Sequence, residues 1–207
     1  MIAVVILQKR AAAQTNHDPE TLVIGRFGLQ DRVTYRYFQV LQQRGRLIYP
    51  DVWWIDFGEI KQYREIGVGG GAVVYNSPRF NVTEEGYFIR ATGTSAAAAT
   101  YLMPWSYVGY HLTPRLGGET SYFPYLPINK AGRIQHILER AKLEYDFKWV
   151  KLGGGYAAYR YGNDSWQNKP FVTTTLKGSH LGNLELWLQR MPINQVQLQV
   201  RYSKTLP

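Results

Sequence analysis

The residue types that most often perform chemistry are sparse in this chain. It has no Cys, which excludes disulfides, thiolate nucleophiles and Cys-ligated zinc. Its four His, at positions 17, 111, 136 and 180, do not stand at the spacing of metal ligands. The sequence contains no HExxH pattern, no P-loop and no GxSxG segment. We therefore expect no cofactor and no metal, and we predict that the protein is not an enzyme.

The polar residues with a regular spacing lie in segments of strict alternation. In the last segment the apolar Val196, Leu198, Val200 and Tyr202 alternate with Gln195, Gln197, Gln199, Arg201 and Ser203. Successive side chains of a β-strand point to opposite faces, so one face of this strand meets an apolar medium and the other meets water or a polar network. The same alternation is present at 137–147 and at 184–189.

The polar faces of these strands together form the candidate site. Its members are Arg140, Lys142, Glu144, Asp146, Glu185, Gln189 and Arg201, with Gln197 and Gln199 beside them. Two interpretations are open. The set is either a structural network or solvated face, or it lines a narrow pore or holds a small polar ligand, with mixed charge setting the selectivity.

The elements that position this set are predicted to be strands throughout. From Thr21 onward, turn-forming clusters recur about every ten to fifteen residues between segments rich in Val, Ile, Thr, Tyr and Phe. One segment is ambiguous, because 127–141 also has apolar residues at helical spacing, but the alternation that continues to Phe147 favours a strand. We predict one domain at 21–207 after a signal remnant or disordered leader at 1–20, where Ala11, Ala12 and Ala13 resemble a cleavage site.

The amino-acid composition indicates that these strands lie at a membrane interface or form a binding surface. The chain has 16 Tyr and 6 Trp, the side chains that favour the boundary between an apolar layer and water. The predicted strands exceed the five or six residues typical of soluble sheets. The net charge of +9 indicates an anionic partner such as outer-membrane lipid or lipopolysaccharide. A nucleic acid is not expected, because the basic residues are spread among acidic ones.

Two segments carry a resemblance to a known class. The strand-turn-strand unit at 142–162 and the closing VQLQVRYSKTL at 196–206 resemble bacterial outer-membrane β-barrel proteins, and the similarity extends over most of 32–206. It implies an all-β fold: a single antiparallel up-and-down barrel of about 10–12 strands that spans the bacterial outer membrane. It also implies a structural or narrow-channel role. The large basic excess leaves open other subunits of a membrane assembly as further partners. The ending Leu206-Pro207 departs from the terminal aromatic residue usual in this class.

Two alternatives remain from the residues. The first is a soluble or peripheral barrel, periplasmic or secreted, that binds a lipophilic or glycan ligand; Trp53 and Trp54 with Asp51 and Asp56 form either a carbohydrate-stacking platform or an interfacial anchor. The second is an outer-membrane acyl hydrolase, which Ser179-His180 with Asn183 resembles in residue types. In that group the His precedes the Ser by two positions, whereas these two are adjacent, so a polar turn at 177–180 is favoured.

Overall fold

The computed structural model describes residues 19–30, 33–58, 63–93, 98–178, 182–191 and 196–206. Most of the predicted leader, as well as Ser179 and His180, lies outside these residues. The described chain forms β1 (Glu20–Gln30), β2 (Val33–Arg44), β3 (Leu47–Asp56), β4 (Arg64–Asn76), β5 (Phe80–Thr92), β6 (Ala99–His111), β7 (Leu116–Pro127), β8 (Gln135–Phe147), β9 (Val150–Tyr161), β10 (Gln167–Lys177), β11 (Asn183–Arg190) and β12 (Val196–Leu206).

The strands close into one antiparallel barrel. Each strand pairs with the next along the chain, and β1 pairs with β12 in a seam that runs from Thr21 opposite Leu206 to Leu29 opposite Leu198. This confirms the predicted up-and-down barrel and gives twelve strands. Within the described residues, no helix is long and apolar enough to cross a membrane.

The ambiguous segment is a strand, as the alternation favoured. β8 starts at Gln135 and pairs with β7 on one side and β9 on the other. Its register shifts between Leu138 and Ala141, and Arg140 has a φ of 58°, in the left-handed region. This bulge interrupts the strict alternation, so that both Glu139 and Arg140 make ion pairs inside the barrel.

The polarity of the barrel is the reverse of that of a soluble protein. Large apolar side chains lie on the outer surface; Phe88 is 54% exposed, Val172 59% and Leu188 52%. The charged Lys142, Glu119 and Glu185 are buried inside. A soluble monomer rarely exposes a continuous apolar surface of more than a few hundred Å². The apolar faces therefore meet lipid, and the alternative of a soluble barrel with an apolar interior is wrong.

The two ends of the barrel differ in their connections. At the end that holds Glu20 and Leu206, the terminal end, strands are joined by the short connections 45–46, 77–79, 112–115, 148–149 and 178–182. The opposite loop end carries 31–32, 57–63, 93–98, 128–134, 162–166 and 191–195. Outer-membrane barrels have short periplasmic turns and longer extracellular loops. The connections at the loop end reach seven residues and those at the terminal end at most five, from which we infer that the loop end faces the outer side of the membrane.

Two glycines allow close approaches within the barrel wall, one by a large side chain and one by the neighbouring backbone. A Cβ built on Gly67 would overlap the indole of Trp53, which lies inside the barrel. A Cβ on Gly155 would stand 2.5 Å from the backbone O of Ala141 and 2.7 Å from the Cα of Lys142, so this glycine allows the β8 backbone to approach closely. Gly in a strand often marks such a close approach, and here it makes space for the groups that fill the interior.

We expect Gly67→Ala to destabilise the barrel by about 1–3 kcal/mol, because the added methyl group overpacks against Trp53. The matched control is Gly86→Ala, whose Cβ would have no atom within 4 Å. The temperature at which the folded band disappears from an unboiled gel should fall for Gly67→Ala and stay near wild type for Gly86→Ala. Equal temperatures for both variants would contradict this account.

Candidate channel lumen

Lys142 is the largest of the fully buried side chains among the described residues, and its ammonium group lies in the lumen. Its side chain has 0% exposure, and its Nζ lies 3.2 Å from Glu119 Oε1 and 3.4 Å from Glu144 Oε2. It also hydrogen-bonds to Glu185 Oε1, and Arg201 binds the other oxygen of that carboxylate at 3.3 Å. A buried ion is tolerated only when partners replace its lost hydration, and Lys142 has three carboxylate partners.

A second ion pair spans the lumen. Arg26 Nη1 on β1 lies 2.5 Å from Glu139 Oε1 on β8. Four strands, β12 to β9, separate β1 from β8 along the shorter path around the barrel. Arg140 joins this pair to the Lys142 cluster, because its Nε lies 3.2 Å from Glu139 and its Nη1 lies 3.6 Å from Glu119. The side chains therefore form one charged network that bridges opposite walls.

The indole of Trp187 packs against the cations of this network. Its ring lies 5.8 Å from the guanidinium carbon of Arg26, 5.5 Å from that of Arg140 and 5.6 Å from Lys142 Nζ. It also stacks on Phe171 with a centroid distance of 4.4 Å. Cation–π contacts gain strength when desolvated, so the buried Trp187 helps to hold the cations in place.

The opposite half of the lumen, on β3 to β7, combines aromatic rings with carboxyl groups. Tyr87 OH lies 2.8 Å from Asp51 and 2.5 Å from Glu85, and Gln39 donates to Asp51 at 2.7 Å. Tyr125 donates to Glu65 at 3.0 Å. The packed rings of this aromatic half are Trp53, Tyr87, Tyr101, Trp105, Phe123 and Tyr125. These rings pack against one another as a core and do not form an open stacking surface.

The two halves meet beside a cavity of about 80 Å³. Tyr107 joins them by donating to Glu119 at 2.7 Å. The cavity is lined by polar groups such as Arg201 and by apolar side chains such as Leu22. A water molecule needs about 10–15 Å³ by this measure, so the cavity has room for several. Trp105 Nε1 and Arg201 Nε, on lining residues, have no hydrogen-bond partner within the described part of the chain, which agrees with water at these positions.

All seven residues of the sequence-predicted set face the lumen. Arg140, Lys142, Glu144, Glu185 and Arg201 belong to the charged network. Asp146 lies nearer the terminal end, where it binds Lys177 at 2.5 Å, and Gln189 accepts a hydrogen bond from Gln199 at 3.0 Å. Their role in transport or binding stays a prediction.

Three members of the network were missed from the sequence: Arg26, Glu119 and Glu139. Arg26 shares its face of β1 with the apolar Leu22 and Ile24, so the face does not look polar. Glu139 is brought inward by the bulge, which alternation alone does not reveal. The signal that was available for Glu119 is the preceding Gly117-Gly118, which indicates a close approach of another chain segment.

The suggested carbohydrate platform of Trp53 and Trp54 is not formed. Trp53 lies inside the barrel at 3% exposure, while Trp54 lies on the outer surface at 38%. Adjacent residues of a strand point to opposite faces, so the two indoles are on opposite sides of the barrel wall. Trp53 belongs to the aromatic half, and only Trp54 is placed as an interfacial anchor.

No protein-family model and no curated protein matches the chain. Several solved structures are similar to it in fold. The KdgM porin superposes with a TM-score of 0.62 at 15% identity, covering 90% of this chain and 99% of that chain. The NanC porin gives 0.60 at 11% identity, over 89% and 98% of the two chains. An outer-membrane channel from Pseudomonas putida F1 gives 0.62 at 10% identity, over 91% and 95%.

The fold is that of an outer-membrane porin. Together with the apolar outer face, the porin fold confirms the predicted class, a transmembrane β-barrel of the bacterial outer membrane. The neighbours are channels and not enzymes, in agreement with the expectation of a non-enzymatic role. At these low identities the shared feature is the fold, so the solute has to be argued from the lumen of this chain.

We expect Lys142→Met to destabilise the barrel by about 3–5 kcal/mol, because it leaves Glu119, Glu144 and Glu185 buried together without their shared cation. The midpoint of guanidinium unfolding in detergent measures the effect. Lys130→Met, on an exposed loop residue, is the matched control and should leave the midpoint unchanged. A wild-type midpoint for Lys142→Met would show that the three carboxylates do not depend on this lysine.

Proposed function

We propose that the protein is a narrow channel of the bacterial outer membrane that passes small hydrophilic solutes and ions. The observation that carries this proposal is the Arg26–Glu139 ion pair, which crosses the lumen of a barrel with an apolar outer surface. A polar interior inside an apolar cylinder provides a path for water and solutes. The ion pair divides that path and restricts its width.

The width of the path follows from the side chains that enter it. Arg26, Glu139 and Arg140 fill the space between β1 and β8, and the aromatic half fills the space along β3 to β7. The side chains of Arg26 and Glu139 are 8% and 21% exposed, and the cavity that Arg140 helps to line has about 80 Å³. A space of this size suits ions and small solutes rather than extended chains. Rings of mixed charge at such a constriction set selectivity by both size and electrostatics.

The charge of the lumen argues for a solute different from that of one neighbour. A KdgM porin has been solved in complex with disordered oligogalacturonate, which is a polyanion. In this chain the charged network pairs four cations, Arg26, Arg140, Lys142 and Arg201, with four carboxylates, Glu119, Glu139, Glu144 and Glu185, among the described residues. A balanced network offers no continuous basic track, so we do not extend the polyanion to this chain.

We expect Arg26→Ala to raise the single-channel conductance, because it removes one arm of the ion pair that crosses the lumen. Purified barrels in planar lipid bilayers provide the measurement. The control is Arg36→Ala on β2, since Arg36 is exposed on the outer surface. Wild-type conductance should be retained in this control.

The outcomes separate a channel from a purely structural barrel. A folded wild type that conducts, with a larger conductance in Arg26→Ala, supports the proposal. Wild type and Arg26→Ala barrels that both insert without conducting would indicate a structural membrane protein instead. A heat-shifted gel band confirms in each case that the barrel is folded.

A further inference from the structure

The basic excess of the chain lies outside the charged network. The network itself is balanced, yet the chain carries +9. Exposed basic residues lie at both ends of the barrel; those near the loop end are Arg36, Arg64, Arg90, Lys130, Arg133 and Arg190, and those near the terminal end are Arg44, Arg46, Arg79, Arg115 and Lys148. Basic side chains on either side of an apolar belt match the two planes of lipid head groups.

A further basic residue near the loop end, the partly buried Arg160, belongs to a compact cluster on the outer surface of β7 to β10. The cluster consists of Tyr122, His136, Arg160 and Trp166. His136 and Arg160 are directly opposite on β8 and β9. The guanidinium carbon of Arg160 lies 5.1 Å from the ring centre of Trp166, and the His136 ring lies 6.4 Å from the same indole. Tyr122 OH and His136 Nδ1 share a hydrogen bond of 2.7 Å.

The neighbours of these residues show that the cluster faces outward. Ser121, which precedes Tyr122, is buried inside, and Ile137, which follows His136, packs against the aromatic half of the lumen. Tyr122 is 39% exposed and Trp166 41%. His136 and Arg160 each lie one residue from the loop end of their strands. The cluster therefore lies on the lipid side of the wall, near the upper edge of the apolar belt.

Arg160 differs from the arginines of the lumen in its partners. Arg26, Arg140 and Arg201 each bind a carboxylate, whereas Arg160 forms no ion pair within the described residues, and its Nε has no hydrogen-bond partner there. Its planar group is instead oriented by the Trp166 ring. A guanidinium fixed in this way offers two parallel donors to an anion with several oxygens, such as a phosphate.

The other members of the cluster suit the same ligand. If His136 Nδ1 accepts from Tyr122, the ring proton is on Nε2, which is then a second donor. Tyr122 and Trp166 supply exposed rings for acyl chains and sugar faces at the head-group level. Arg133 lies on the same rim, since the adjacent Ile134 accepts a hydrogen bond from Gly162, two residues after Arg160.

We propose that Tyr122, His136, Arg160 and Trp166 form a binding site for a phosphate group of the outer-leaflet glycolipid, the lipid A part of lipopolysaccharide. This inference rests on the outer-membrane location within the proposed function and on the outward orientation of the loop end. It does not depend on conduction through the lumen. The site fixes a lipid molecule against β8 and β9 and so contributes to the seal between the barrel wall and the outer leaflet.

The test uses the full-length barrel in detergent, titrated with diphosphorylated lipid A and, separately, with dephosphorylated lipid A, with binding followed by native mass spectrometry. We expect wild type to prefer the phosphorylated lipid and Arg160→Ala to weaken its binding about tenfold. Arg160→Lys keeps the charge but loses the planar donors, so it should recover only part of the affinity. The matched control is Arg115→Ala, on an exposed basic residue at the terminal end, which should bind as wild type does.

Three results would overturn the site: equal binding of the two lipids, equal affinity in wild type and Arg160→Ala, or an equal loss in Arg115→Ala, which would indicate diffuse charge attraction only. Folding of each variant is checked by the heat-shifted gel band. A conducting barrel without this lipid preference refutes the site and leaves the channel intact. A lipid preference that depends on Arg160 in a barrel that does not conduct refutes the channel and leaves the site intact.

Discussion

The interior of this barrel depends on one buried cation. Lys142 is enclosed by Glu119, Glu144 and Glu185. These three carboxylates lie on three different strands, β7, β8 and β11. Without the lysine, three like charges would share a poorly hydrated space. The ion pairs of Arg140 and Arg201 extend from these same carboxylates, so the rest of the charged network is arranged around Lys142.

The membrane explains why such a costly interior is retained. A soluble protein of this size stabilises itself by burying most of its apolar side chains, but here many large apolar side chains face lipid and only part of the interior, chiefly the aromatic half, is apolar. The barrel must then fill its lumen with groups that satisfy one another. It does so with ion pairs between β1 and β8 and with hydrogen-bonded rings and carboxyl groups along β3 to β7.

The fold could be predicted from the sequence more fully than the site. Alternation in the last strand and at 137–147 reports which side chains share a face, and strand length with aromatic content indicates lipid on the outside. Contacts across the lumen could not be predicted in this way. The pairing of Arg26 with Glu139 joins residues that are 113 positions apart, and it depends on barrel diameter and on a bulge, neither of which a local pattern contains.

The Trp pair shows the same limit on a smaller scale. Trp53 and Trp54 look like one feature in the sequence, but a strand places them on opposite sides of the wall. Arg160 and Trp166 are the converse case: they are separated along the chain by a turn and are brought together at the rim of the outer surface. Composition identified the excess of basic and aromatic residues, and only the register of β8 and β9 showed where they meet.

The seam between β1 and β12 has a consequence for how the protein is made. Thr21 pairs with Leu206, so the first and last strands of the chain are direct neighbours and the cylinder stays open until the final strand has been synthesised. Glu185 and Arg201, on the last two strands, belong to the network around Lys142, which therefore forms only when the whole chain is available. Closure of the cylinder and completion of the charged network therefore both require β12, and a chain interrupted before β11 would lack Glu185, one of the three carboxylates around Lys142.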